Sequence, residues 1–144
     1  MPTADFNIGK DVSLDIIDPV SGPLRFGIRT RFEATPQYDE ISSKALDGNL
    51  RTASVPNGHR LVFGLDRADR RLDDYFSQKE ENYFNGVVDP LVSVTVTIRE
   101  LDGSVSTWRY TGVSLRLTNG GTWAGNATAT MAMEGTARRK VKVP

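Results

Sequence analysis

A chain of 144 residues suffices for one domain, 1–144, that buries roughly 68–70% of its unfolded surface. Lys plus Arg number 18 and Asp plus Glu number 18, so no net charge draws the chain to nucleic acid or an anionic membrane. The absence of cysteine excludes disulfides, thiolate catalysis and zinc–thiolate sites. No apolar run approaches the ~18 residues of a membrane span, and MPTADFNIGKD lacks a basic-then-apolar leader, so the expectation is a soluble protein that starts in the cytosol.

Residues 1–10 are polar and read as a flexible N-terminus. Val12, Leu14 and Ile16 alternate with Ser13 and Asp15, the mark of a short strand, which Asp18-Pro19 and Ser21-Gly22-Pro23 end in a turn. In PLRFGIRTRFEATP, Phe26, Ile28, Thr30 and Phe32 share one face and Arg25, Arg29, Arg31 and Glu33 the other. This predicts a long strand with a core face and a charged face, bent at Pro36 and continuing from Glu40 to Ala45. Residues 46–60 hold two tight-turn dipeptides, Asp47-Gly48 and Asn57-Gly58, together with Pro56. Leu50, Ala53 and Val55 lie between them without a clear core face. The segment reads as an extended loop or protruding hairpin, and long loops in compact domains tend to be functional.

Leu61, Phe63 and Leu65 form a strand that feeds a helix over 67–85. Ala68, Leu72, Tyr75, Phe76 and Tyr83 recur on one face of a 3.6-residue period. Asp66 and Asp69 are expected to cap its first turn, Asp73 and Asp74 to complement its dipole, and Asn85-Gly86 to stop it. Val92, Val94, Val96 and Ile98 mark the clearest half-buried strand, and Asp102-Gly103 turns it into the next. There the apolar parity shifts from Trp108 and Tyr110 to Val113, Leu115 and Leu117, which predicts a β-bulge at Gly112. Asn119-Gly120-Gly121 reads as a loop, Ala127, Ala129, Met131 and Met133 as a core face, and ARRKVKVP as a basic edge strand or arm. The fold class is therefore mainly β, with one α-helix lying across a sheet and the extended loop.

No residue pattern carries catalytic chemistry. His59 follows a turn dipeptide, with no serine elbow or cysteine to activate, so a surface-turn histidine is favoured over a general base. Asp66, Asp69 and Asp73 share a helix face, yet capping explains them without a metal. Glu33 with Asp39 and Glu40 reads as a solvated strand edge rather than a glycosidase pair. Ser93, Thr95, Thr97, Ser104, Ser106 and Thr107 read as the solvent face of a sheet. No cofactor and no metal is expected. The arginines of the charged strand and of the helix, Arg29, Arg31, Arg70 and Arg71, suit salt bridges to acidic patches on another copy.

The order of elements resembles the tail tube proteins of tailed bacteriophages, contractile-tail type, and related tube-forming proteins. The residues that carry the resemblance are RFGIRTRFEA, LDGNLRTASVPNGH, LDRADRRLDDYF, DGSVSTWRYTGVSL and MAMEGTARRKVKV, within Val12 to Val143. It implies an antiparallel β-sandwich or rolled β-barrel with one flanking α-helix, in a non-enzymatic subunit of sixfold rings that stack into a hollow tube through which DNA passes without specific binding. The implied partners are further copies of the chain and the tail sheath, tape measure, baseplate and tail terminator proteins. The implied location is a virion tail assembled in the host cytoplasm. Leu46, Asp47, Leu50, Ala53 and Val55 would then serve ring stacking, and the four arginines the contacts between subunits. The alternatives are a related secretion-tube or baseplate tube-initiator protein, and a monomeric β-sandwich that binds a ligand such as a carbohydrate.

Overall fold

Alternating apolar and polar residues build strands that bury one face, and here they dominate the chain. A computed structural model describes residues 8, 11–20, 22–24, 28–68, 70–88 and 90–144. The strands are β1 (Val12–Asp18), β2 (Gly22–Leu24), β3 (Ile28–Lys44), β4 (Leu50–Asp66), β5 (Val92–Arg99), β6 (Val105–Thr122), β7 (Thr130–Ala137) and β8 (Arg139–Val143). The helix α1 (Arg71–Phe84) lies between β4 and β5. All strand pairs are antiparallel, in the order β2-β1-β5-β6-β7-β4-β3, with β8 also on β6.

The strand β6 belongs to two layers. Its first half, Val105 to Val113, pairs with β5 on one side and β8 on the other, while Ser114 to Thr122 pairs with β7. The layers fold against each other around Ile16, Leu61, Phe63, Val92, Val94, Val113 and Met133, all nearly fully buried. Phe32 packs against Phe63 at 5.2 Å and Tyr110 at 6.4 Å, joining the layers by aromatic contact. The arrangement is a sandwich and not a closed barrel, which settles that alternative.

The bulge expected at Gly112 is present. Val92 pairs with Val113 but Val94 pairs with Tyr110, so Thr111 and Gly112 oppose the single residue Ser93. Gly112 has φ +62, and a Cβ there would stand 2.8 Å from the Arg138 side chain. Two turn readings are corrected. Asn57-Gly58 is no turn: it is a bulge inside β4, where Pro36 pairs with His59 and Tyr38 with Pro56. Asn119-Gly120-Gly121 lies within β6, as an irregular stretch opposite the start of β7. In both cases the dipeptide supplies positive φ to a strand, which sequence alone does not distinguish from a turn.

The helix is shorter than its expected 67–85. Arg70 is its N-cap, with no side-chain capping bond, and Asp66 instead ends β4, where its carboxylate accepts from Thr128 Oγ1 at 3.4 Å. Asp69 and the expected strand residues Arg25 and Phe26 lie outside the described residues. The stop at Asn85-Gly86 is present: Gly86 N–H donates to the Tyr83 carbonyl and Val87 N–H to that of Asn82, the Schellman pattern, with Gly86 at φ +75. Only Leu72 is buried, Tyr75 and Phe76 are half-buried, and Tyr83 is exposed. Lys79 Nζ donates to the Leu115 carbonyl at 2.8 Å and Tyr75 Oη to Asp18 at 3.2 Å, fastening the helix to β6 and to the end of β1. Leu72→Ala is expected to cost about 2–5 kcal/mol in urea unfolding, and Phe76→Ala less than the ~3–5 kcal/mol of a fully buried ring.

Candidate functional site

The strands β3 and β4 form one hairpin far longer than the core needs. Its base carries Phe32 opposite Phe63 and Ala34 opposite Leu61, inside the sandwich. Beyond the bulge, pairs run from Tyr38↔Pro56 to Lys44↔Leu50 and close at the Ala45–Asn49 turn, where Asn49 N–H donates to the Asp47 carboxylate at 3.0 Å. The expected segment 46–60 is thus the turn and outgoing strand of a regular hairpin arm. Leu46, Asp47, Leu50, Ala53 and Val55 are all exposed on it. Direct pairing puts Ile41 beside Ala53 and Asp39 beside Val55 on one face, with Leu50 on the other. Tyr38 and Ile41 are exposed too, and their strand parity alone did not mark them as part of the arm.

The outward face of the second layer is charged and self-compensating. Glu134 on β7 is buried because Arg60 of β4 and Arg116 of β6 close over it. Arg60 Nε binds its carboxylate, and Arg116 Nη2 donates to it at 2.7 Å. The hydrogen bond from Arg60 holds the Glu134 carboxyl below its usual range and outweighs the opposing effect of burial. Beside it, Arg31 binds Glu33 at 2.5 Å. This cluster escaped sequence reading, because its members are far apart in the chain and share only outward parity.

The other expected site residues are scattered. Arg29 is exposed near the start of β3, Arg70 lies 3.6 Å from Asp74 of its own helix, and Arg71 is exposed at the first turn. Arg67 pairs with Asp73 at 3.2 Å and lies over the exposed Trp123 ring. His59 is not a surface-turn residue: it is half-buried, edge-on to Tyr110 at 5.5 Å. Burial, followed by the charge of Lys140, lowers its pKa. Ser93, Thr95, Thr97, Ser106 and Thr107 are half-buried, whereas Ser104 is exposed in the β5–β6 turn. Glu33 and Asp39 sit at different levels of β3, with Asp39 accepting from Asn57 at 3.3 Å. Ala127 is exposed, so the buried face of β7 begins at Met131. Among the described residues, no three His, Cys, Asp or Glu side chains are grouped to hold a metal ion, and no helix is long and apolar enough to cross a membrane.

No protein-family model and no curated protein sequence matches the chain. Solved structures do. A chain of the anti-feeding prophage cap, a tube-terminating cap, superposes with a TM-score of 0.64 at 11% identity, covering 97% of this chain and 93% of that one. The fold is of the contractile-tail tube type. A chain of an extracellular contractile injection system sheath–tube complex in the extended state gives 0.59 at 12% identity, covering 90% and 87%. A chain of the anti-feeding prophage baseplate, a 6-fold symmetrised structure, gives 0.60 at 10% identity and covers 97% of both.

The Glu134 cluster predicts an acid-sensitive fold. A carboxyl whose folded pKa lies below its unfolded value contributes stability above the unfolded value, about 4.5 here, and loses it as pH falls through the folded one. The melting temperature of the wild type is therefore expected to fall more steeply below about pH 4.5 than that of Glu134→Gln. The variant is expected to melt lower at neutral pH.

Proposed function

We propose that the chain is a non-enzymatic structural subunit of a phage-like tail tube, assembling as stacked sixfold rings around a lumen for DNA passage. The observation that carries this reading is the fold likeness, which spans nearly the whole of both chains for components of tube caps, sheath–tube complexes and baseplates. The hairpin arm supports it. A lone domain gains little from ordering a segment whose apolar residues stay in water, whereas docking on the next ring would bury Leu46, Leu50, Ala53 and Val55, with Asp47 holding the tip. The open strand β3 gives a neighbouring subunit a backbone edge to engage. Arg29, Arg31, Arg70 and Arg71 lie on exposed surfaces from which they reach a neighbouring subunit's carboxylates. Tail sheath, tape measure, baseplate and terminator proteins are the further partners, and a tail particle assembled in the cytoplasm is the location.

A second reading is favoured by the extracellular contractile injection system among the similar structures: a tube or tube-initiating protein of an injection machine. Both readings share the ring. Negative-stain microscopy and light scattering of the purified protein are expected to show rings or rods at low salt. They should loosen near 1 M salt, where the screening length drops to about 3 Å. Uniform monomers at every concentration would instead favour the ligand-binding sandwich. Replacing 49–55 by a short Gly-Ser turn is expected to leave circular dichroism and ring formation intact while blocking elongation into tubes. Normal tubes from that protein would refute the stacking role of the arm.

A further inference from the structure

Two features of the first layer remain unused by the stacking arm, and they lie at its opposite edges. At one edge, the β1–β2 turn, the end of α1 and the segment leading to β5 enclose a groove of about 280 Å³ lined by Val20, Asn82, Val87, Val88 and Pro90. Its lining includes apolar residues left open to solvent, Val88 90% and Val20 81% exposed, and at the same end of α1 Tyr83 and Phe84 are 76% exposed each. Glu80 precedes Tyr83 by three positions and Phe84 by four, and Glu81 precedes Phe84 by three, so the two carboxylates flank Phe84 on its side of the helix. Both carboxylates are exposed, and no ion pair engages either among the described residues. The last turn of α1 carries no basic residue, so its carbonyl end adds negative potential.

At the other edge lies β8, paired only with β6. It carries Arg139, Lys140 and Lys142, with Arg109 of β6 opposite Val141. Lys140 lies over the Trp108 ring at 4.6 Å, yet none of these cations has a carboxylate partner among the described residues. Val141 is partly exposed between them. One edge is thus apolar with free carboxylates, and the other is cationic with an apolar residue at its centre.

We infer that the β8 edge of one copy seats on the α1–β1 edge of the next, its cations meeting Glu80 and Glu81 while Val141 meets the apolar lining. The occupant is a second copy of this chain, because the complementary charge and the strand that bears it are both present on the same molecule. Surfaces at opposite edges of one layer pair head to tail, the geometry that closes a ring when the rotation closes. The inference rests on the ring reading and names the two surfaces that meet laterally, whereas the arm acts between rings.

The test is a charge swap on the full-length protein. Arg139→Glu with Lys142→Glu, and separately Glu80→Lys with Glu81→Lys, are each expected to abolish rings. Mixing the two variants is expected to restore them, because alternating copies then face each other with opposite charges around an even-numbered ring. Restoration also shows that both variants fold. Should either fail to fold, zero-length carbodiimide coupling of the wild type gives the same answer. Cross-links from Lys140 or Lys142 to Glu80 or Glu81 of another copy support the contact. Cross-links confined to other sites overturn it. Rings that survive both reversals overturn the contact and leave the tube reading standing, whereas a wild type that forms no ring overturns both.

Discussion

The fold depends on one strand serving two layers. β6 can do so because the bulge at Gly112 lets the chain turn its buried face over between Tyr110 and Val113. Before the bulge the strand is flanked by β5 and β8, and after it by β7. Gly112 tolerates this because its φ is positive and because the space a Cβ would need is filled by Arg138. Arg138 N–H in turn donates to the Thr111 carbonyl at 2.9 Å, so β7 and β8 change layers where β6 does. Core, helix seat and arm are all placed by this corner.

Much of this was legible in the sequence, and the reasons are specific. Period-two alternation marked β1, β5 and the buried half of β4, because one packed face imposes it. The parity break at Trp108–Val113 marked the bulge, because a bulge is the simplest way to reverse a strand's faces without ending it. Asn85-Gly86 marked the helix stop, because only a left-handed residue completes that cap. Asn57-Gly58 misled for the same physical reason: positive φ serves a bulge as well as a turn, and Gly58 lies where a Cβ would meet the Ala137 carbonyl at 2.7 Å. The helix start misled because Asp66 remains paired in β4, which delays the first helical residue to Arg71.

The candidate surfaces were legible in outline only. Exposure of Leu50, Ala53 and Val55 followed from their weak patterning, yet the regular pairing of the arm did not, since residues exposed on both faces leave no alternation to detect. The Glu134 cluster combines residues of three strands, and nothing local announces that two guanidinium groups will cover one carboxylate. In Arg60, Arg116 and Glu134 the outward face of the second layer has its charges answered internally. At the end of α1 and along β8 they are left open, and that contrast separates surfaces that serve the monomer from surfaces available to a neighbour.

The hairpin of β3 and β4 closes from its own turn, whereas β1 pairs with its neighbour in sequence, β2, over Ile16 to Asp18 alone. Its register matches Val12 with Ile98 and Ile16 with Val94, so the first strand of the chain finds its main partner only after the arm and the helix have been made. Local hairpins form in microseconds, whereas closing a loop of this length precedes any reward from contact. During synthesis, Leu14 and Ile16 leave the ribosome early and wait in water until β5 follows them. The chain therefore completes its sandwich late, and until then the seat that the end of β1 gives to α1 through Asp18 and Tyr75 does not exist. A chain caught in that interval lacks the groove beside α1, so the contact between copies proposed above would wait for the docking of the first strand.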